Sequence, residues 1–442
     1  MRLFRKVLFW CHLVTGVFVA LVVLIMSVTG VLLTYEKQML AWADARAVQV
    51  PTPAAGAQRL PVDVLMQFVA LSESGTPTTV SWLAGENAPV RVAFGREKTV
   101  YVDPYTGTVL GPGAQKMRGF FRFVTDWHRW LGQSGDARDR GKAITGAANL
   151  GFLFLVLSGL WLWWPRTWTR AAVRNVTMFR SGLRAKARDF NWHNVIGFWS
   201  FVPLAIVVAS ATVISYPWAS NLVYRIVGEE PPAPSGGGSG GGSGGPGGTQ
   251  ARAGGAPGAG ERGGRGEGGA GEQNGRSNRG NDGAGDEDLL AGVDPLVAVA
   301  QQKVDGWRTI SMTMPKEADA PIVFNIDRGS GGQPQKRASL TLDRATGAEV
   351  KWEPFATGST GRQLRSILRF AHTGEVLGLP GQTIAGLVSL GAVVLVWTGL
   401  ALSLRRFGAW RGRRTRPGPG GERGADVTGE RRRRRRGSMA AR

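Results

Sequence analysis

The chain has 442 residues, a formal net charge of +22 and a hydrophobic content of 43%. Its mean hydropathy of -0.09 is that of a soluble protein, but this value averages long apolar runs with a Gly- and Arg-rich tract. The single cysteine, Cys11, excludes an internal disulfide, a cysteine-ligated iron–sulfur cluster and covalent haem attachment through Cys-x-x-Cys-His. The basic residues lie beside the apolar runs, which favours a membrane protein and argues against a nucleic-acid partner.

Four apolar stretches are long enough to cross about 30 Å of hydrocarbon, which takes roughly 20 residues. They contain almost no ionisable side chains and run approximately over Trp10–Tyr35, Ile144–Trp164, Val195–Trp218 and Thr383–Leu404. The first stretch is too long for a signal peptide, and no small-residue cleavage pattern follows it, so we interpret it as a retained anchor. The sequence therefore predicts four transmembrane helices.

The flanking charges predict the orientation of these helices. Arginine and lysine residues are frequent between Arg166 and Arg188, at the N-terminus and after Leu404. Because cytoplasmic loops carry an excess of these residues, we expect both termini in the cytoplasm of a bacterium, with the protein in its inner membrane. The two long segments between the first and second and between the third and fourth helices then lie outside.

The two halves of the sequence repeat the same features in the same order. The matching segments are Trp10-Cys11-His12 with Asn191-Trp192-His193, Val100–Gly107 with Leu340–Gly347, and Arg122-Phe123 before His128 with Arg369-Phe370 before His372. Since each half crosses the membrane twice, both copies enter from the same side. The fold class predicted is a membrane α-helical protein of two parallel helix–soluble domain–helix repeats.

The two external segments have the pattern of small α+β domains. Helical spacing is found at Val62–Leu71 and Pro295–Val304. Alternating runs predict strands at Thr79–Leu83, Val90–Phe94, Thr99–Val102 and Thr108–Leu110, and again at Thr309–Met314, Ile322–Ile326, Ala338–Leu342 and Glu349–Trp352. Asp-x-x-Thr-Gly in each domain predicts a turn in which Asp accepts from backbone amides and Gly has positive φ.

All four histidines of the chain occupy equivalent places in this duplication. His12 and His193 begin the first and third spans, whereas His128 and His372 lie just before the second and fourth. A single interfacial histidine is more often structural, but four matched ones indicate a functional site. Two neutral imidazoles on facing helices suit the axial positions of an electron-transferring haem. We therefore predict two non-covalently bound haem groups, one between His12 and His193 and one between His128 and His372.

Other residues near the histidines suggest supporting roles. Gly16 and Gly197, one turn after His12 and His193, would leave room for a flat macrocycle. The predicted propionate partners are Arg122, Arg129, Arg365 and Arg369 at the outer face and Arg5 and Lys6 at the inner face. The nearest carboxylates are Asp126, Glu375 and Asp189, which we interpret as solvated or as secondary groups around the site.

Several of these motifs, taken in order with the four spans, resemble the PepSY-associated transmembrane family. They are Phe9-Trp10-x-His12-x-x-x-Gly16, the Asp103–Gly107 turn, His128 with Leu131-Gly132, and His372-Thr373-Gly374-x-x-x-Gly378. The resemblance covers nearly all of residues 1–407 except a Gly-rich tract. The family includes bacterial iron-regulated inner-membrane proteins and ferric-siderophore reductases.

The resemblance implies periplasmic PepSY-like domains and, in the reductase members, two b-type haems that carry electrons to a periplasmic ferric siderophore. Carried over residue by residue, the haem-iron ligands are His12, His193, His128 and His372. Arg344-Ala345 replaces Pro104-Tyr105 in the second domain, so the two external domains are not implied to bind the same ligand.

The predicted organisation divides the chain into nine segments. They are transmembrane helix 1 (1–36), PepSY-like domain 1 (37–116), an outer interfacial segment with helix 2 (117–166), a basic cytoplasmic loop (167–189), helix 3 (190–218), a disordered Gly-rich linker (229–288), PepSY-like domain 2 (289–356), an outer interfacial segment with helix 4 (360–405) and a basic disordered cytoplasmic tail (406–442).

Three functions fit these features, and the first is the one we predict. It is a di-haem electron-transfer protein that reduces a ferric siderophore or chelate and receives electrons from quinol or a cytoplasmic reductase, since no flavin, nicotinamide or phosphate motif is present. The second is a regulatory or protease-restraining PepSY protein with structural histidines. The third is a transporter of iron chelate or haem. Haem content separates the first from the second, and acceptor reduction without uptake separates the first from the third.

Overall fold

The computed structural model describes residues 2–95, 98–164, 169–233 and 289–414. The predicted linker at 229–288 lies outside the described residues from 234 onward, and the predicted tail lies outside them from 415 onward.

Each half of the described chain has one long helix, then three short helices, then a second long helix, and one more short helix lies between the halves. In chain order they are α1 (Arg2–Leu33), α2 (Glu36–Ala47), α3 (Val62–Ser72), α4 (Gln115–Trp130), α5 (Ala137–Trp163), α6 (Arg170–Thr177), α7 (Ala185–Ser215), α8 (Pro217–Ile226), α9 (Asp294–Gln302), α10 (Thr360–His372) and α11 (Gly378–Arg414).

Four of these helices, α1, α5, α7 and α11, are long and apolar enough to cross a membrane, within the described part of the chain. They coincide with the four predicted spans, and each one begins before the apolar stretch that predicted it, while α11 also ends after it. The extension follows from the flanking residues, because Ala, Arg and Lys continue a helix at little cost until a breaker is reached.

The boundaries of the predicted cytoplasmic segments need correction. Residues 406–414 were predicted to be disordered, but they continue α11, and Phe407 stacks on Trp410 with ring centres 5.7 Å apart. The basic loop predicted at 167–189 contains the short helix α6 and the first turn of α7. Thr169 caps α6 by accepting a hydrogen bond from the Ala172 amide.

The strands of both external segments form one antiparallel sheet. They are β1 (Thr79–Leu83), β2 (Val90–Phe94), β3 (Lys98–Val102), β4 (Val109–Gly111), β5 (Thr309–Thr313), β6 (Ile322–Asp327), β7 (Arg337–Leu342) and β8 (Glu349–Pro354). Their order across the sheet is β4-β3-β2-β1-β5-β6-β7-β8. All eight strands were predicted within two residues of these bounds.

The two small external domains predicted from the sequence are not separate. β1 pairs with β5 about a central register of Ser81 opposite Ser311, whose hydroxyls lie 2.9 Å apart. One hydrophobic core continues across this junction, with Val80, Ile310 and Met312 fully buried. Pairing removes the exposed edge that each four-stranded sheet would otherwise present to solvent, which is the physical reason for a single sheet.

The predicted turns are confirmed in both halves of the sheet. Asp103 accepts from the Tyr105 amide at 2.8 Å, and Asp343 accepts from the Thr346 amide at 2.8 Å. Gly107 and Gly347 have φ values of 73° and 68°, which an L side chain rarely adopts. The hydrogen bonds from Thr346 lower the pKa of Asp343.

The described residues form two compact units. The first comprises the described parts of Met1–Leu21, Phe154–Phe201 and Gly391–Arg442, and the second those of Val22–Leu153 and Val202–Leu390. His12 and His193 belong to the first unit. The second unit contains the sheet together with His128 and His372.

Candidate functional site

His128 and His372 face each other in the second unit. Each lies in the last turn of a short helix, α4 or α10, and their ring centres are 6.1 Å apart. An imidazole nitrogen lies about 2.0 Å from a bound metal ion and about 1.2 Å from its own ring centre, so two imidazoles on opposite sides of one ion have ring centres about 6.4 Å apart. The separation of this pair is therefore close to that of two imidazoles that would hold one metal ion between them.

The orientation of both rings is fixed by hydrogen bonds from the Nδ1 atoms. His372 Nδ1 lies 2.9 Å from the Val207 carbonyl oxygen of α7, and because a carbonyl only accepts, Nδ1 carries the proton. His128 Nδ1 lies 2.9 Å from Thr29 Oγ1 of α1, whose own hydrogen goes to the Ile25 carbonyl at 2.6 Å. The Thr29 oxygen is thus left to accept the proton of His128.

His12 and His193 show the same arrangement in the first unit. His12 Nδ1 lies 2.8 Å from Ser158 Oγ of α5, and His193 Nδ1 lies 2.9 Å from Thr398 Oγ1 of α11. Each hydroxyl donates to the carbonyl one turn earlier in its own helix, at 2.6 and 2.8 Å, and therefore accepts from the imidazole. The two imidazoles are close enough to interact electrostatically.

The four hydrogen bonds place the proton on Nδ1 and leave Nε2 of each ring with its lone pair. Metal-binding histidines are commonly oriented in this way, by donating their second nitrogen to a nearby oxygen. In the described part of the chain, no three His, Cys, Asp or Glu residues cluster as a metal site with several protein ligands would require. The arrangement instead suits a cofactor that needs only two protein ligands per ion.

Glycines allow three of these rings to approach a neighbouring helix. A Cβ atom on Gly30 would lie 3.6 Å from Cε1 of His128, and one on Gly159 or Gly399 would lie 3.5 Å from Cε1 of His12 or His193. A Cβ on Gly16 or Gly197 would instead lie 3.7 or 3.8 Å from a leucine side chain, Leu155 or Leu395, and the room predicted there for a macrocycle stays a prediction.

The hydroxyl partners of the histidines were missed in the sequence although a local signal exists. Thr29-Gly30, Ser158-Gly159 and Thr398-Gly399 are all Ser/Thr-Gly pairs inside apolar spans. The hydroxyl oxygen accepts a hydrogen bond from Nδ1 of the imidazole. The glycine that follows it leaves space for the imidazole ring. A search for this dipeptide in the spans would have found three of the four partners, together with two further pairs, Thr15-Gly16 and Thr145-Gly146.

The comparison with known families covers most of the chain. The family described as PepSY-associated TM region matches residues 9–406, which include all four histidines and the greater part of each of the four long helices. The chain belongs to this family. It is therefore a multi-pass membrane protein. No curated protein matches the chain.

In this PepSY-associated protein, carboxylates anchor the first turn of both histidine-bearing short helices. Asp44 of α2 accepts from the Ala114 amide at 2.9 Å and from Arg118 of α4 at 2.5 Å. Glu229, just after α8, accepts from the Gly361 amide of α10 at 3.0 Å. The end of α4 is closed by Leu131 in the left-handed region, with φ 54°. These contacts fix where each helix delivers its histidine.

Two of the predicted carboxylates are not solvated. Glu375, just after α10, is buried and pairs with Lys37 of α2 at 2.7 Å. Asp189 of α7 is buried and pairs with Arg405 of α11 at 2.6 Å and with Arg188 at 3.0 Å. Since a buried carboxylate is stable only when it is paired, both serve as anchors beside the histidines.

Guanidinium groups of like charge lie close to the His128–His372 pair. Burial and the charge of Arg369 lower the pKa of Arg129, and burial followed by the charges of Arg365 and Arg337 lowers that of Arg369. An anionic group would stabilise such a cluster. The structure thus brings together two of the four predicted outer propionate partners, Arg129 and Arg369.

The remaining predicted basic partners lie in different surroundings. Arg122 is exposed on α4, and Arg365 donates to Ser220 Oγ of α8 at 2.8 Å. Arg5 donates to the carbonyls of Leu162 and Trp164 at 2.6 and 3.0 Å, which closes the end of α5, and Lys6 follows it in α1.

Burial keeps the imidazoles at the ends of α4 and α10 neutral. Burial, reinforced by the neighbouring His372, lowers the pKa of His128 to about 3. Burial also lowers the pKa of His372. A neutral imidazole is the form that binds a metal ion, so both rings have the required protonation state at neutral pH.

Proposed function

We propose that this protein is a di-haem b transmembrane electron-transfer protein that reduces a periplasmic ferric siderophore or chelate and releases Fe(II). The observation that carries the proposal is the His128–His372 separation of 6.1 Å with both Nδ1 atoms already hydrogen-bonded. Packed rings often have such a spacing, so the support comes from its combination with Nδ1 hydrogen bonds that leave the Nε2 lone pair of each ring for a metal ion.

The residues of the chain would act by holding and tuning the cofactor. A b-type haem bound between two imidazoles supplies one-electron chemistry. Thr29, Val207, Ser158 and Thr398 hold the rings in one tautomer, and Arg129 and Arg369 offer positive charge to the propionates. Each turnover moves one electron from quinol or a cytoplasmic reductase to Fe(III) of the chelate, which becomes Fe(II), and no covalent bond of the ligand changes.

We further infer that the chain consists of two parallel repeats in a bacterial inner membrane, with both termini cytoplasmic. Support comes from α1 and α7, where His12, Gly16, Thr29 and Tyr35 are separated from His193, Gly197, Ser210 and Tyr216 by the same number of residues. The order of the strands in the sheet is symmetric about the β1–β5 pair, which also supports two repeats. The basic loop and ends would face the cytoplasm.

Visible spectra of the detergent-purified protein test this proposal. We expect sharp b-type bands in the dithionite-reduced protein and about two haem groups per chain by the pyridine haemochrome assay. Reduction of a ferric chelate, followed with a ferrous-iron indicator, should require a reduced protein. A colourless protein from haem-replete cells would overturn the proposal and favour a regulatory PepSY protein without a redox cofactor.

Removing the hydroxyl that orients His193 should weaken haem binding without removing a ligand. We expect Thr398→Val to lower haem affinity roughly 10-fold, because losing an oriented hydrogen-bond partner of a metal ligand typically costs that much. The midpoint potential should rise, since an imidazole that no longer donates from Nδ1 is a weaker base and stabilises Fe(III) less. Haem titration and spectroelectrochemistry measure the two effects.

Two variants of the same helix control this experiment. Thr398→Ser keeps the hydroxyl and should behave as the parent protein. Ser403→Ala removes a hydroxyl that bonds only to the Gly399 carbonyl, at 2.8 Å, and should change neither affinity nor potential. An unchanged potential in Thr398→Val would contradict the orienting role of this residue.

A further inference from the structure

A cavity of about 340 Å³ opens in the second unit beside α8 and α10. It is formed where α7 ends and α8 begins, and Lys142 of α5 and Arg365 of α10 also line it. Pockets that hold small ligands have volumes of about 300–1,000 Å³, so this one can hold a small chelate or a headgroup. None of the four histidines lines it, which separates it from the candidate haem sites.

The lining of the cavity is rich in hydrogen-bond donors and carries positive charge. Lys142 of α5 and Arg365 of α10 contribute two cations, and Tyr216, Ser220 and Asn221 contribute hydroxyl and amide donors. No Asp or Glu is among the residues that line it. Its chemistry therefore favours a ligand with oxyanion groups, since carboxylate and phosphate oxygens accept from such donors.

Contacts within the second unit hold Arg365 in place. Its Nε atom donates to Ser220 Oγ at 2.8 Å, which leaves the terminal nitrogens of the guanidinium for a ligand. The nearby carboxylate Glu229 accepts from the Gly361 amide and belongs to the anchor of α10. This carboxylate is not among the residues that line the cavity.

The cavity lies on the side of α10 that carries His372. Arg365 and His372 are two helical turns apart, about 10 Å along the axis, and share one face of the helix. Both contact the segment formed by α7 and α8, Arg365 at Ser220 and His372 at Val207. Arg365 at the cavity and His372 are therefore joined by a single helix, about 10 Å apart along its axis.

We propose that this cavity binds the oxyanion groups of an anionic ferric chelate, a proposal that rests on the reductase function proposed above. Lys142 and Arg365 attract and orient the chelate, and the hydroxyl groups of Tyr216 and Ser220 donate to it. An anionic phospholipid headgroup offers the same oxyanion chemistry, so the test must separate the two sources.

Binding of gallium(III) citrate to the full-length protein in phosphatidylcholine nanodiscs tests the site. This complex has the charge chemistry of a ferric chelate but is not reduced, so calorimetry reports binding without turnover. We expect Lys142→Gln and Arg365→Gln each to weaken binding roughly 10-fold, because each removes a charge-assisted hydrogen bond. Arg362→Gln, on an exposed arginine of the same helix that does not line the cavity, should bind as the parent does.

Haem content measured on the same samples separates this proposal from the reductase function. Unchanged affinity in both charge variants of a haem-loaded protein overturns the cavity site alone. Charge-dependent binding to a protein without haem supports the cavity site and overturns the reductase function alone. If gallium citrate does not bind, and phosphatidylglycerol instead co-purifies with the parent but not with Lys142→Gln or Arg365→Gln, the site is a lipid site and the proposal fails.

Discussion

Replacing His128 or His372 with alanine will remove the same haem, so that each variant retains about half of the haem of the parent protein. The reason is geometric: the two rings face each other at 6.1 Å, and neither has a replacement ligand, because no third His, Cys, Asp or Glu joins them among the described residues. Alanine at position 12 or 193 should remove the other haem in the same manner. The pyridine haemochrome assay and reduced-minus-oxidised spectra measure this loss.

Double variants make the pairing a strict test. His128→Ala combined with His372→Ala should lose no more haem than either single variant, because both changes act on one site. His128→Ala combined with His193→Ala should leave the protein colourless. If the first double variant is colourless and the second retains a haem, the ligands are paired differently from the arrangement described here. Circular dichroism of each variant shows whether the helices remain folded.

The spans and strands could be predicted because their residues follow simple periodic patterns. Both patterns are local. An apolar stretch of about 20 residues indicates a helix with apolar surroundings on all sides, and an alternating run of five indicates a strand with one buried face. The bounds of β1 and β2 agree with the prediction at both ends. The ends of α11 do not, because Arg405 to Arg414 are compatible with helix and tail alike.

The joining of the two small domains could not be read from local patterns. Pairing of β1 with β5 connects residues more than 200 positions apart, with a predicted linker between them. Both are edge strands of their own halves, and an edge strand has the same alternation whether it faces solvent or a partner. The two halves therefore pack as a single sheet, which holds α3 and α9 over one core.

The histidine pairs were predicted from symmetry, whereas their oxygen partners depend on three-dimensional packing. The four predicted ligands are conspicuous because the chain has no other histidine. Thr29, Ser158 and Thr398 are ordinary small polar residues of apolar helices until a neighbouring ring is placed against them. Ser210 shows this dependence, since it occupies the place of Thr29 in α7, yet His372 donates to the Val207 carbonyl instead.

Alanine at Gly141 or Gly381 should cost the protein the haem of the His128–His372 pair although neither residue touches a histidine. A Cβ on Gly141 would overlap with the carbonyl of Trp130, two residues after His128, and a Cβ on Gly381 would overlap with the carbonyl of Gly374, two residues after His372. Backbone atoms cannot move aside as a flexible side chain can, so α4 or α10 must shift and carry its histidine with it. Overpacking of this kind costs about 1–3 kcal/mol of stability.

The same substitution on an open face provides the control. Gly119 lies in α4 itself, and a Cβ there meets no atom within 4 Å, so Gly119→Ala should retain both haems and gain slightly in stability. Thermal unfolding followed by haem absorbance and circular dichroism compares the three variants. Loss of the haem in Gly141→Ala and Gly381→Ala, with retention in Gly119→Ala, would show that the close crossing of each short helix over the following span sets the distance between the two rings. Full haem content and unchanged spectra in all three would mean that the ring separation is set elsewhere, by the anchors at Asp44 and Glu229.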